Sequence, residues 1–143
     1  MATSALSAWG AKFNWDGEDI QELTSISGPT ETLDTIDVTS HDSTEAFREF
    51  AAGLHDGGEV SIEGNLIVGD TDGQIAMHTD FQAGSTKAFI LKHPAWTAEP
   101  AHEYPEVTGN GIITAFSADF PFDGKISFSA TMKVTGKPTL TLA

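Results

Sequence analysis

The chain has 143 residues, a length that fits one domain, and its 21 Asp and Glu against 7 Lys and Arg give a formal charge of −14 with His neutral. With 39% apolar residues, nine Phe and three Trp it carries enough apolar surface for a core, which excludes an acidic disordered chain. The absence of Cys excludes a disulfide scaffold, a zinc–thiolate site and a cysteine nucleophile, and the negative charge argues against electrostatic binding to phosphate backbones or anionic membranes.

The opening MATSALSAWGAKF lacks a basic segment followed by an apolar one, so no signal peptide is expected and synthesis is assigned to the cytoplasm. No apolar run approaches the roughly 18 residues of a membrane span. The charge is uneven. Residues 16–63 hold thirteen acids and one base, Arg48, whereas residues 124–143 hold Lys125, Lys133 and Lys137 and no acid. Solvated faces explain such a split; so does a subunit with unlike ends that attract head to tail.

Gly28 to Gly58 reads as a long connection with one short alternating piece, Ile36 and Val38. Connections of that length in a compact domain are usually functional. This one also carries Phe47, Phe50 and Leu54, which need a partner surface within the subunit or on another one.

From Glu59 to Val68 the pattern alternates, with Val60, Ile62, Leu66 and Val68 on one side and Glu59, Ser61, Glu63 and Asn65 on the other. A helix follows over 70–84, with Asp70 or Thr71 as cap, Gly84 as stop, and Ile75, Met77, His78 and Phe81 as an imperfect apolar side. Residues 87–92 predict a strand, and the three-proline stretch 93–106 a rigid surface connection. Residues 111–120 and 125–134 predict two long strands joined by the turn PFDGK, with Gly124 available for positive φ. In the second, Ile126, Phe128, Ala130, Met132 and Val134 face one way and Lys125, Ser127, Ser129, Thr131 and Lys133 the other, the signature of antiparallel strands with one buried and one wet face. One helix packed on an antiparallel sheet system is the economical architecture.

Candidate chemistry is thin. Asp70-Thr71-Asp72-Gly73 starts like a calcium loop, but the twelfth position is Phe81 where a Glu is required, so a turn and helix cap is the better reading. His41, Asp42 and Ser43 are residue types of a serine triad, yet adjacent residues in one loop do not converge as a relay needs. His93 and His102 with Glu99 and Glu103 match no metal-ligand spacing. Glu103 and Glu106 form an acid pair of the kind 21 acids produce by chance, and Trp9, Trp15 and Trp96 suit core or subunit packing better than a sugar platform. No catalytic, metal-binding or cofactor-binding residue is expected, and the weight moves to structural or interaction roles.

The acidic segment and the strand after it carry a distinctive run: Asp37-Val38-Thr39-Ser40-His41-Asp42-Ser43, then Phe47-Arg48-Glu49-Phe50, then Gly53-Leu54-His55-Asp56-Gly57-Gly58-Glu59-Val60 and Ile62-Glu63-Gly64-Asn65. This pattern resembles the tail tube proteins of long-tailed, non-contractile bacteriophages. The specific part is residues 37–65; the layout of strand, long loop, strand, helix and strands resembles the family over most of 20–135.

The resemblance implies a mainly β fold: an antiparallel β-sandwich or barrel-forming sheet with one flanking α-helix and a long interfacial loop. It implies a single domain over 1–143, with residues 1–19 as an N-terminal arm, 28–58 as an inter-subunit loop, 59–69 as a strand, 70–84 as the helix and 86–136 as strands. The immunoglobulin-like C-terminal domain of some relatives is expected to be absent. It further implies a virion protein whose copies form hexameric rings stacked into a tube, with other tail proteins at the tube ends, and through which genomic DNA passes without specific binding. No enzyme activity, cofactor or membrane insertion goes with this reading. Asp37, Thr39, Asp42, Phe47, Arg48, Phe50 and Leu54 become inter-subunit or inter-ring candidates. Glu59, Ser61, Glu63, Ser127, Ser129 and Thr131 become lumen-facing candidates, with Lys125 and Lys133 expected to pair with acids such as Glu59 or Glu63. The rival readings are an acidic DNA mimic that occupies DNA-binding enzymes and a β-sandwich carbohydrate-binding module.

Overall fold

A computed structural model describes residues 9–93 and 105–141. Nine strands and one helix follow in the order β1 (Lys12–Trp15), β2 (Glu18–Asp19), β3 (Leu23–Ser27), β4 (Thr32–Asp37), β5 (Phe50–Asp56), β6 (Glu59–Asn65), α1 (Gln74–Ala83), β7 (Thr86–Lys92), β8 (Glu106–Asp119) and β9 (Ser127–Thr141). Seven strands form one antiparallel sheet, ordered β2-β1-β7-β8-β9-β6-β3, while β4 and β5 pair only with each other.

The alternation in β6 and β9 sets the core. Val60 and Ile62 of β6 and Phe128, Ala130, Met132 and Val134 of β9 are all buried. Phe13 of β1 lines the same interior as Val60 and Ile62, although β7, β8 and β9 lie between those strands in the sheet. The sheet is therefore curled on itself, and Met77 of α1 plugs its concave side. A bulge in β8 helps. Ile113 pairs with Met132 and Ala115 with Thr131, so the extra residue Thr114 lets both Ile113 and Phe116 turn inward. Phe116 then stacks on Phe128 at 5.7 Å between ring centres, with His78 of α1 tilted against it at 5.0 Å.

The helix starts later than the sequence suggests and buries a different face. Gln74 and Met77 are its buried residues, whereas Ile75 is exposed. The reason is hydrogen bonding. The Gln74 side-chain amide donates to the carbonyls of Gln21 and Asn65 at 3.0 and 2.9 Å, and its Oε1 accepts from the Ile67 amide. Asp70 Oδ2 accepts from the amides of Gln74 and Gln21, so this carboxylate caps the helix from four residues upstream. Gly84 ends the helix in the left-handed conformation, as expected. On the other side, the indole of the fully buried Trp15 donates to Asp80 Oδ2 at 2.8 Å and clips α1 to β1.

Three local expectations change. Lys12–Trp15, read as part of an arm, is a sheet strand paired with β7, because Phe13 and Trp15 point into the core. The strand from Glu59 stops at Asn65, where the chain turns toward Gln74, and Val68 lies in solvent. Gly124 is not among the residues with positive φ, and Ile126 lies outside β9 and is partly exposed.

Candidate assembly surfaces

The segment 28–58 is not an irregular loop. It forms the β4–β5 hairpin, which stands apart from the main sheet as an arm. Its tip, residues 38–49, closes on itself. The Thr39 hydroxyl donates to the Glu49 carbonyl and accepts from the Glu49 amide at 2.8 Å, and the Ser43 hydroxyl donates to Glu49 Oε2 at 2.6 Å. Asp37 accepts from the Thr39 amide and holds the Arg48 guanidinium at 3.0 Å. Hydrogen bonding from Thr39, assisted by Arg48, holds the Asp37 carboxyl below its ordinary range. Glu45 and Ala46 adopt left-handed backbone conformations inside this tip. Thus Asp37, Thr39 and Arg48 shape the arm, while Asp42 sits exposed beside them.

The arm leaves its apolar side chains outside. Leu33, Ile36, Val38, Phe47, Phe50 and Leu54 are all exposed, Leu54 at 81%. Directly paired residues share a face, so Ile36 lies with Ala51 while Phe50 lies with Asp37 on the opposite face. A two-stranded ribbon with apolar residues on both faces is incomplete in one subunit, and ribbons of two strands are marginal alone in water.

At its root the arm is anchored to the wall of the main sheet. Asp56 Oδ1 accepts from Lys133 Nζ of β9 at 2.8 Å and from the Gly58 amide at the same distance. These bonds hold the Asp56 carboxyl below its ordinary range, the Lys133 ammonium contributing most. Gly58 has φ +81°, and a Cβ there would overlap the Thr30 carbonyl oxygen, so only glycine fits. The Asp-Gly-Gly step is where the chain leaves the hairpin and enters the main sheet. The acidic segment and the basic C-terminal strand therefore meet within one subunit, and Lys133 pairs with Asp56 although Glu59 lies directly opposite it in register.

The convex face of the sheet carries the polar candidates together. Ser61 pairs with Thr131, Glu63 with Ser129 and Asn65 with Ser127, while Glu59 pairs with Lys133. The row continues to β3 through Ser27 and Ser25, and to β8 through Ser117, whose hydroxyl lies 2.7 Å from that of Ser129. A hydroxyl-rich surface thus spans β3, β6, β9 and β8 and bears the acids Glu59, Glu63 and Asp119. Among the described residues this four-strand wall has two open edges, β3 and the Ile113–Asp119 half of β8, because β7 pairs β8 only from Glu106 to Ile112.

Among the described residues the remaining motifs do not converge on a site. Asp70 is buried and engaged by two amides. Ser43 is bonded to Glu49, not to His41. Trp15 is core, and Trp96, Glu99, His102 and Glu103 lie outside the described residues. Among the described residues no group of His, Asp and Glu could hold a metal ion, and no helix is long and apolar enough to cross a membrane. Sequence reasoning missed Asp56 as the arm anchor and missed a second apolar surface, Phe120 and Phe122 on the β8–β9 turn, both strongly exposed. Two Phe around a Pro in a turn, where no strand alternation buries them, was the available signal.

A family model described as phage tail tube protein matches residues 21–140. The comparison with curated proteins yields no match. Among solved structures, the chain is similar to one in the virion of a native gene transfer agent particle, with a TM-score of 0.76 at 23% identity over 96% of this chain and 99% of that one. It is similar to a chain in the sixfold-symmetric tail of an empty gene transfer agent particle, with a TM-score of 0.70 at 24% identity over 92% and 93%. It is also similar to the SPP1 tail tube, with a TM-score of 0.71 at 12% identity over 97% and 80%. These likenesses show a shared fold, a curled, mainly antiparallel β-structure with one helix. Since the match covers most of its length, the chain belongs to the phage tail tube protein family, non-enzymatic structural components of the virion tail.

Proposed function

We propose that six copies of this chain close into a ring, that rings stack into a tube, and that the lumen is lined by the polar face of β3, β6, β9 and β8. The observation that carries this reading is the four-strand wall: a hydroxyl-rich face with open edges at β3 and at the outer half of β8, backed by a closed core. Joining β8 of one subunit to β3 of the next satisfies both rows of backbone groups and removes the exposed edges. Glu59, Ser61, Glu63, Ser127, Ser129 and Thr131 then face the bore.

Such a wall conducts genomic DNA without retaining it. Its hydroxyls are uncharged, Lys133 is neutralised by Asp56, Lys125 lies on the same surface as Glu63 and Asp119, and the acids repel phosphate. Screening over roughly 8 Å at physiological salt means that the acids on this face, not those on the arm, act on DNA in the bore. Phe47, Phe50 and Leu54 of the arm bury against neighbouring subunits, held in shape by Asp37, Thr39 and Arg48, with Asp42 at the tip. Other tail proteins close the tube ends.

Negative-stain microscopy of the concentrated protein tests this. Tubes with sixfold end views, and no retention of duplex DNA at low salt, are expected. Compact monomers that compete with DNA for its binding enzymes point to a DNA mimic, and retention on glycans to a carbohydrate-binding module.

A further inference from the structure

The wall strands have two different ends. At one end the β8–β9 turn presents Phe120, Pro121 and Phe122, with Phe120 68% exposed and Phe122 fully so. At the other end the arm root and β9 enclose a cleft of about 840 Å³, lined by Leu54 and Asp56 of the arm and by Val134, Thr135 and Pro138 of β9. Seven residue steps of extended chain, from Ser127 to Val134, separate the two, about 23 Å along β9. No subunit can fill its own cleft with its own turn.

We propose that the Phe120-Pro121-Phe122 turn of one subunit seats in the arm-root cleft of a second copy in the next ring. This inference rests on the stacked-ring reading. Three observations select a second copy as the occupant. Turn and cleft lie at opposite ends of the β6-paired half of β9, Ser127 to Lys133, so a head-to-tail repeat brings them together without any change in the wall, and a heterologous contact of this kind propagates as an open filament. The turn is short and Pro121 fixes the backbone between the two Phe, so little backbone freedom is lost on docking. The charges also cross-match: Lys125 at the base of the turn meets a cleft flanked by Glu31 and Asp34, and Asp123 meets Lys137. The paired aromatic rings supply the apolar anchor, the polar pairs the rim.

The chain has no Cys, so single cysteines report cleanly. The Phe122→Cys and Thr135→Cys proteins are mixed, assembled and treated with a short bismaleimide. A cross-linked dimer is expected in the mixture and not in either protein alone, and the double variant is expected to give a ladder. Separately, Phe120→Ser/Phe122→Ser is expected to form rings but to raise the concentration needed for tubes about tenfold or more, with the circular dichroism of the parent. Normal tubes from the double Ser variant overturn the proposal. So do wild-type-like tubes in which the cysteine mixture gives no dimer, or in which each protein cross-links equally well alone. If the parent chain forms no tubes, the stacked-ring reading fails and takes this contact with it; parent tubes that form normally while the double Ser variant also forms them, or while the cysteine mixture gives no dimer, overturn the contact alone.

Discussion

Lys133 Nζ lies 2.8 Å from Asp56 Oδ1 and ties the middle of β9 to the root of the arm. Both side chains are about half exposed, so the pair is a weak contributor to global stability and acts by fixing where the arm leaves the sheet. The Asp56 carboxyl also accepts the Gly58 amide, so the same group orients the turn and the strand neighbour.

Acid should release this anchor. The Asp56 carboxyl is held below its ordinary value in the folded chain, so its contribution is present above the unfolded value, about 3.9, and is lost as pH falls through the lower folded value. The protection of the Gly58 amide, its exchange rate relative to the intrinsic rate at the same pH, is expected to hold at neutral pH and to fall as the solution is taken below about pH 4. Lys133→Met should bring the onset of that loss of protection to a higher pH.

Gly58→Ala places a methyl against the Thr30 carbonyl and puts a side chain at φ +81°. A loss of about 1–3 kcal/mol is expected, read as a lowered denaturant midpoint with an unchanged slope. Gly84→Ala meets open space at φ +69° and should cost less, about 1 kcal/mol.

Phe50→Asp tests the arm surface. Phe50 is 57% exposed and makes no part of the core, so the monomer should keep its thermal midpoint within a few degrees. Tubes should be absent by electron microscopy at concentrations where the parent assembles. Normal tubes would move the interface away from this face of the arm.

Asp80→Ala leaves the indole N–H of the fully buried Trp15 without its acceptor. The expected cost is about 1–3 kcal/mol, and Asp80→Asn, which keeps an acceptor oxygen, should recover much of it. Chemical denaturation followed by tryptophan fluorescence measures both.

Much of the sheet was legible because its alternation is local. Ile62 and Met132 are placed inward by the period of a strand, whatever strand they pair with. The helix was legible from its ends, since Gly84 is a stop signal, but not from its face. A glutamine is polar by composition, and only the converging carbonyls of Gln21 and Asn65 make Gln74 a buried residue. The arm was legible as a segment needing a partner and illegible as a hairpin. Its strands are short, its pairing is interrupted by a bulge near Asp34, and its apolar residues sit on both faces, so the usual alternation is lost.

By itself the sequence determined the class of structure and the wet and dry faces of β6 and β9, because these follow from residue type and from the two-residue period of extended chain. Only the tertiary structure decided which ends and edges go together. Curling the sheet brings Phe13 to Val60 across three intervening strands, pairing β9 beside β6 sets Lys133 on Asp56, and the Asp-Gly-Gly step sends the arm out of the sheet. Those relationships depend on long-range strand order, which is set by the summed burial of a whole core and is written in no single segment.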